Sequence, residues 1–221
     1  MNTHYIKNIN PPNYGWLEYK LDTQEMDYVW KCIENKKELT KNFLAGNIDR
    51  SYNLMDRGRW FESNVIRPMC QVYSDKYGNL GDRVPNGIKH PYYMRDWWVN
   101  YQKKHEFNPL HNHHGIYSFV IWIDIPYSHY DERKLDIARG SINDYIGNFV
   151  FTYADGRGIS NEVIPMTPNM NGWGCFFPSE LSHQVYPFYT SDKPRISISG
   201  NVQFMETKVD DDNQRFSRQI N

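Results

Sequence analysis

From Arg195 to Phe204 the chain alternates strictly. Arg195, Ser197, Ser199, Asn201 and Gln203 fall on one register, and Ile196, Ile198, Gly200, Val202 and Phe204 on the other. A period of two belongs to a β-strand and sends the two sets to opposite faces of a sheet. The apolar set needs cover, which packed helices can supply. The polar set carries an arginine, hydroxyls and amides, and on an isolated strand it would be an ordinary wet face. In a small sandwiched or closed β fold the same face lines the interior, where polar groups require partners or a ligand.

The rest of the sequence favours such a fold. From Asp82 onward, Gly and Pro punctuate short aromatic and β-branched runs at 94–102, 117–125, 148–153, 162–166, 173–177 and 183–188. Short strands separated by turn signals predict a barrel or a two-sheet jelly roll, and an aromatic content of 16% suits one. The charged stretch from Ser128 to Gly147 is a longer insertion between strands, of the kind that often borders a site. The first third reads as helical. Asp22 and Glu25 have the spacing of a capping box, Leu21 can staple onto Met26, and Met26, Val29, Trp30 and Ile33 form one apolar stripe. A second helix is expected over about 60–77, with Phe61, Val65, Met69, Val72 and Tyr73 on one side and a kink or split at Pro68. The expectation is one mainly β domain with N-terminal helices: a helical support region over 1–81, a β core over 82–206 and a flexible tail over 207–221.

Charge and composition narrow the function classes. Lys and Arg number 25 against 26 Asp and Glu, a net charge of -1, so there is no basic field to hold nucleic acid and nucleic acid is disfavoured as a partner. No apolar run approaches the roughly 18 residues of a membrane span, and the N-terminus has no apolar signal core. The 3 cysteines, Cys32, Cys70 and Cys175, are too few and too scattered for a disulfide framework. They read as buried thiols in a reducing cytoplasm.

The histidines carry the chemistry. In His111-Asn112-His113-His114 the first and third imidazoles lie two residues apart, so in extended chain they point the same way and can converge on one metal ion. His183, far along the chain, can complete the set: two close ligands and one distant one make a rigid site with open coordination positions. The plainer reading is a polar turn that binds metal only adventitiously. His90, His105, His114 and His129 have no comparable setting and read as structural. Arg195 follows His183, with Ser197 on its face of the strand, and a guanidinium fork beside a hydroxyl suits a carboxylate deep in a pocket.

Trp98-Val99-Asn100-Tyr101, then Asn108 to Gly115 with Tyr117 to Pro126, then Phe176 to Val185 and Arg195 to Phe204, resemble the 2-oxoglutarate/Fe(II)-dependent dioxygenases. The likeness spans about residues 92–204 and is closest to a subgroup common in marine bacteria and their phages. It implies a double-stranded β-helix (jelly-roll, cupin-like) core, Fe(II) at His111 and His183, and the distal carboxylate of 2-oxoglutarate on Arg195 and Ser197. Tyr101 and Asn201 are further cosubstrate-binding candidates. The implied reaction is hydroxylation by O2 of a small-molecule or peptidyl substrate, with 2-oxoglutarate decarboxylated to succinate, in the cytoplasm of the cell or of a phage's host. Most such enzymes place Asp or Glu two residues after the first histidine; here that position is His113. A third neutral imidazole leaves the site more positive by about one unit. Two other readings stand beside this one: a non-catalytic jelly-roll binding or structural protein, and a three-histidine cupin-like metalloenzyme that does not use 2-oxoglutarate.

Overall fold

In the computed structural model, which describes residues 15–38, 46–83, 91–156 and 158–205, the alternating segment is a central strand, β11 (Arg195–Phe204). Its neighbours, β4 (Tyr92–Gln102) and β6 (Tyr117–Asp124), both run antiparallel to it. Beyond β6 lie β9 (Trp173–Pro178) and β1 (Leu17–Lys20), and beyond β4 lie β3 (Arg50–Asn53) and β2 (Lys37–Glu38). The seven-stranded order is β1-β9-β6-β11-β4-β3-β2. A second, four-stranded sheet takes β5 (Asn108–His111), β10 (Ser182–Val185), β7 (Phe149–Asp155) and β8 (Gly158–Ile164) in the order β5-β10-β7-β8. The layering is helices, large sheet, small sheet, the jelly-roll arrangement expected from the strand pattern.

The layering follows from which strands need cover on two faces. Strand β6 is buried from Tyr117 to Ile123, which a near-continuous apolar run permits. Tyr117, Ile121 and Ile123 join the core beneath the helices, while Val120 and Trp122 join a second core between the sheets with Phe149, Phe151 and Phe177. Strand β11 splits as its alternation requires, with Ile198 and Val202 in the helix-side core and Arg195 turned the other way, into the gap between sheets.

Helix α1 (Thr23–Glu34) begins with the expected capping box: the Glu25 N–H donates to Asp22 Oδ1 at 2.8 Å, and the Asp22 N–H to Glu25 Oε2 at 2.8 Å. It buries Val29, Cys32 and Ile33, so the buried arc is completed by Cys32 and Trp30 stands 37% exposed. In the second helical segment the backbone stays helical across Pro68, and the kink or split expected there is replaced by a change of helix type just before it. A π-helical turn at Glu62–Ile66 runs into α2 (Arg67–Tyr77), and Pro68 sits in the first turn of α2, where no N–H is needed. The region expected to be purely helical also supplies β1, β2 and β3; these runs of two to four residues are too short to carry a periodic signal. Strand β8 starts at Gly158, earlier than the sequence pattern suggests. The tail at 207–221 and His90 lie outside the described residues. Among the described residues no helix is long and apolar enough to cross a membrane.

One acid anchors the helical layer to β4. Glu62, 2% exposed, accepts from Arg59 Nε at 2.9 Å, from Arg67 Nε at 3.0 Å and from the Met94 N–H at 3.3 Å. Burial pushes its carboxyl up, but the two guanidiniums and the backbone N–H outweigh it and the net shift is downward. The unfolded chain then takes up this proton more readily, so the contribution is present above the ordinary glutamate range and is lost as pH falls through the depressed value. Glu62→Gln is expected to lower stability at pH 7 by about 1–2 kcal/mol. In urea unfolding the gap from wild type should close in acid, and a gap that persists unchanged at low pH would contradict this account.

Candidate active site

The sheet register brings distant histidines together. Strands β5 and β10 pair antiparallel with His111 directly opposite His183. His113 leaves the end of β5 and is fixed by its backbone N–H, which donates to the Ser179 carbonyl at 2.8 Å. The chain then turns at Gly115 (φ +142), where a Cβ would lie 3.0 Å from the Val202 carbonyl oxygen and 3.1 Å from Ser179 Oγ. Asn112 and His114, on the alternate positions, are exposed.

The imidazole nitrogens of His111, His113 and His183 all lie within 4.8 Å of one another. His113 Nε2 stands 3.2 Å from His183 Nε2. Among the described residues this is the cluster with metal-ligand spacing. Two of the rings are oriented by their other nitrogen: His111 Nδ1–H donates to the Pro109 carbonyl at 2.7 Å, and His183 Nδ1–H to the Leu181 carbonyl at 3.0 Å. A backbone acceptor at Nδ1 selects the tautomer that leaves the Nε2 lone pair free, the state a metal requires. Burial pushes His183 well below the ordinary histidine range and His113 down to about 4, with the neighbouring imidazoles adding to both shifts. Burial also lowers His111. Phe149 stacks on the His183 ring at 5.3 Å between centroids, and Phe177 meets it edge-on at 5.1 Å. The donor set therefore fits a borderline metal such as iron, and no carboxylate lines the pocket among the described residues. Glu106, the nearest acid in sequence, is spent on the Lys103 and Asp49 backbone N–H groups.

Arg195 lines the same pocket and is 2% exposed. Its Nη1 donates to Tyr127 Oη at 2.7 Å and to the Gly147 carbonyl at 3.3 Å, and its Nη2 donates to Gln102 Oε1. Its Nε–H is buried without a partner, and no ion pair to Arg195 is formed among the described residues. A buried cation with a spare N–H and no counter-ion is what a ligand carboxylate would complete. Ser197 lines the pocket next along the strand, opposite Asn100 on β4.

The remaining two candidates go elsewhere. On β4 the residues facing the pocket are Trp98, Asn100 and Gln102; Tyr101 has the opposite parity. It packs against the helix-side core, edge-on to Tyr52 at 5.8 Å and under Lys36 Nζ at 5.6 Å. Asn201 keeps the face of Arg195 but lies past the end of the pocket. It accepts from Ser118 Oγ at 2.9 Å, and Ser118 Oγ meets Ser179 Oγ at 2.9 Å, so it braces the turn from which His113 hangs. Sequence reasoning missed Gln102, Tyr127 and Gly147, the groups on Arg195. The parity of β4 was enough to find Gln102, whereas nothing local announces a carbonyl acceptor across 48 residues.

Residues 96–201 match the family model described as "Putative 2OG-Fe(II) oxygenase". Through that segment the chain is similar to the 2OG-Fe(II) oxygenases. Oxygenases of this family work with Fe(II), 2-oxoglutarate and O2. Solved structures agree on the fold. A prolyl-4-hydroxylase from Pseudomonas putida has TM-score 0.52 at 14% identity, over 87% of this chain and 94% of its own. An oxidoreductase of the 2OG-Fe(II) oxygenase family from Burkholderia pseudomallei has TM-score 0.50 at 14% identity, over 86% and 84%. The viral collagen prolyl hydroxylase of Paramecium Bursaria Chlorella virus-1, in its 2OG complex, has TM-score 0.50 at 11% identity, over 87% and 97%. No curated protein matches in sequence.

If the triad is one site, the metal-free protein should take up one Co(II) with a visible absorption band. At a hundredfold excess over Kd the ion should add about 2.7 kcal/mol of stability. His183→Ala is expected to remove both effects; uptake that survives it would place the metal elsewhere.

Proposed function

We propose that His111, His113 and His183 hold Fe(II), and that Arg195 and Ser197 take the distal carboxylate of 2-oxoglutarate. The reading rests on one observation: three imidazole nitrogens and a buried, uncompensated guanidinium with a spare Nε–H converge in one pocket between the sheets. Bound together, the metal and cosubstrate supply the oxidising chemistry, in which O2 and 2-oxoglutarate become CO2 and succinate while a substrate C–H becomes C–OH.

The chain's part is binding, orientation and exclusion of water. The Pro109 and Leu181 carbonyls hold the His111 and His183 rings with Nε2 toward the shared centre. Arg195 meets a carboxylate with charge-assisted bonds in a site it cannot leave, because Tyr127, Gly147 and Gln102 hold it. Ser197 offers a hydroxyl one position along the same face. Trp122, Phe149 and Phe177 give the pocket a dry wall. His113, in place of the usual carboxylate, contributes a neutral donor, so 2-oxoglutarate supplies the negative charge of the loaded site. The substrate is a small molecule or a peptidyl side chain, hydroxylated in a reducing cytoplasm consistent with three buried free cysteines.

Anaerobic addition of Fe(II) and then 2-oxoglutarate is expected to give a weak visible charge-transfer band that needs both components. Exposure to air should then yield succinate even without substrate. Arg195→Ala should weaken 2-oxoglutarate binding by about a hundredfold, the loss of a charged hydrogen-bonded partner of roughly 3 kcal/mol. Metal uptake with no band would instead favour a three-histidine metalloprotein indifferent to 2-oxoglutarate.

A further inference from the structure

The bonds that hold Arg195 tie three separate stretches of chain to one guanidinium. Gln102, 2% exposed, is the register partner of Arg195 at the end of β4. Its Nε2–H donates to the Glu106 carbonyl at 2.6 Å, which leaves Oε1 as the atom facing Arg195 Nη2. Tyr127 and Gly147 stand at the two ends of the 128–146 insertion. The Tyr127 hydroxyl donates to the Gly147 carbonyl and accepts from Arg195 Nη1 at 2.7 Å, so the insertion is closed at the guanidinium.

The arrangement is braced from behind. Tyr127 stacks on Phe188 at 4.3 Å between centroids and 13° between planes. Gly147 has φ +71, and a Cβ there would come 3.0 Å from Tyr127 Cε2 and 3.2 Å from Glu132 Cγ. Glu132, fully buried on the insertion's short helix α3 (His129–Glu132), accepts from the Tyr189 and Thr190 N–H groups at 2.8 and 2.9 Å. Burial pushes the Tyr127 hydroxyl up to about 12, more than the Arg195 charge pulls it down, so it stays protonated and serves as donor and acceptor at once.

On a guanidinium the Nε–H and the adjacent Nη2–H form one edge, and Nη1 lies on the side away from it. Here Nη1 has two acceptors and Nε–H has none. Building on the assignment of Arg195 to the cosubstrate, we propose that Tyr127 and Gln102 are positioning residues: by taking up Nη1 and Nη2 they present the unpartnered Nε–H of Arg195 to the distal carboxylate of 2-oxoglutarate. They touch the guanidinium, not the reacting atoms, and act only on a ligand that has that second carboxylate.

The test compares two 2-oxo acids by calorimetry on the Ni(II)-loaded full chain: 2-oxoglutarate, and 2-oxobutyrate, which lacks the distal carboxylate. Tyr127→Phe keeps the stacked ring and removes one hydroxyl. It should weaken 2-oxoglutarate about tenfold, or about 1.4 kcal/mol, and leave 2-oxobutyrate unchanged. Gln102→Leu, an independent variant should the first not fold, should act in the same direction. General loosening of the pocket would weaken both ligands alike, and that result, or unchanged 2-oxoglutarate binding in both variants, would overturn the proposal. Arg195→Ala separates the two levels of argument. If it abolishes the preference for 2-oxoglutarate while Tyr127→Phe and Gln102→Leu keep it, the positioning role alone is wrong. If it keeps the preference, the assignment of Arg195 fails and the positioning role with it.

Discussion

A guanidinium that is 2% exposed and, among the described residues, has no carboxylate to meet it is the constraint around which this fold is arranged. Taking such a charge out of water costs several kcal/mol unless its N–H groups find acceptors. The chain meets the demand with neutral oxygens from three directions: the β4 amide of Gln102, the Tyr127 phenol and the Gly147 carbonyl. Each of these needs its own support, which is why Gln102 is locked to Glu106, Tyr127 stacks on Phe188, and the insertion returns on a left-handed glycine. The protein satisfies the cation in part and leaves Nε–H unmet. A site that neutralised Arg195 with an internal Asp or Glu would be more comfortable without ligand and would have little left to offer one.

The metal end of the pocket obeys a complementary logic. His183 packs among Phe149, Phe151 and Phe177, and burial drives all three imidazoles toward the neutral form, so their lone pairs are available. His113 Nε2 and His183 Nε2 face each other at 3.2 Å, where two lone pairs repel unless a cation or proton lies between them. If the three imidazoles hold a metal as proposed, with no acid lining the pocket among the described residues, its positive charge and that of Arg195 share one low-dielectric pocket. A ligand carrying two carboxylates answers both at once. On the proposed assignment, the molecule that completes the guanidinium would also offset the charge a carboxylate ligand would have offset at the metal, tying metal and cosubstrate occupancy more closely than in a site with its own acid.

How much of this was legible in the sequence depends on whether the information is local. The β11 alternation and the Asp22–Glu25 capping box are written within a few residues, and each appears where the pattern puts it. His111 and His113 are also a local signal, since their spacing sets their direction. The choice of His183 as third partner rested on the pattern of two close ligands and one distant one, and what realises it physically is the register of β5 against β10. Tyr101 was misplaced by a single residue of parity: its neighbours Asn100 and Gln102 face the pocket while it faces the helices. A strand allows no compromise there, because a shift of one position reverses the face.

The groups that escaped are those whose role exists only across layers. A backbone carbonyl such as that of Gly147 has no sequence signature as a ligand for arginine. It becomes one because Gly147 adopts a left-handed conformation beside Tyr127 and Glu132, where a Cβ would be both strained and crowded. Asn201 illustrates the same limit from the other side. Its parity is that of Arg195 and Ser197, and by alternation alone it belongs to the pocket. The pocket ends first, and the amide oxygen instead accepts from Ser118, which reaches Ser179 and so steadies the turn that carries His113. Periodicity assigns a residue to a face; how far along that face the cavity extends is decided by the strands packed against it.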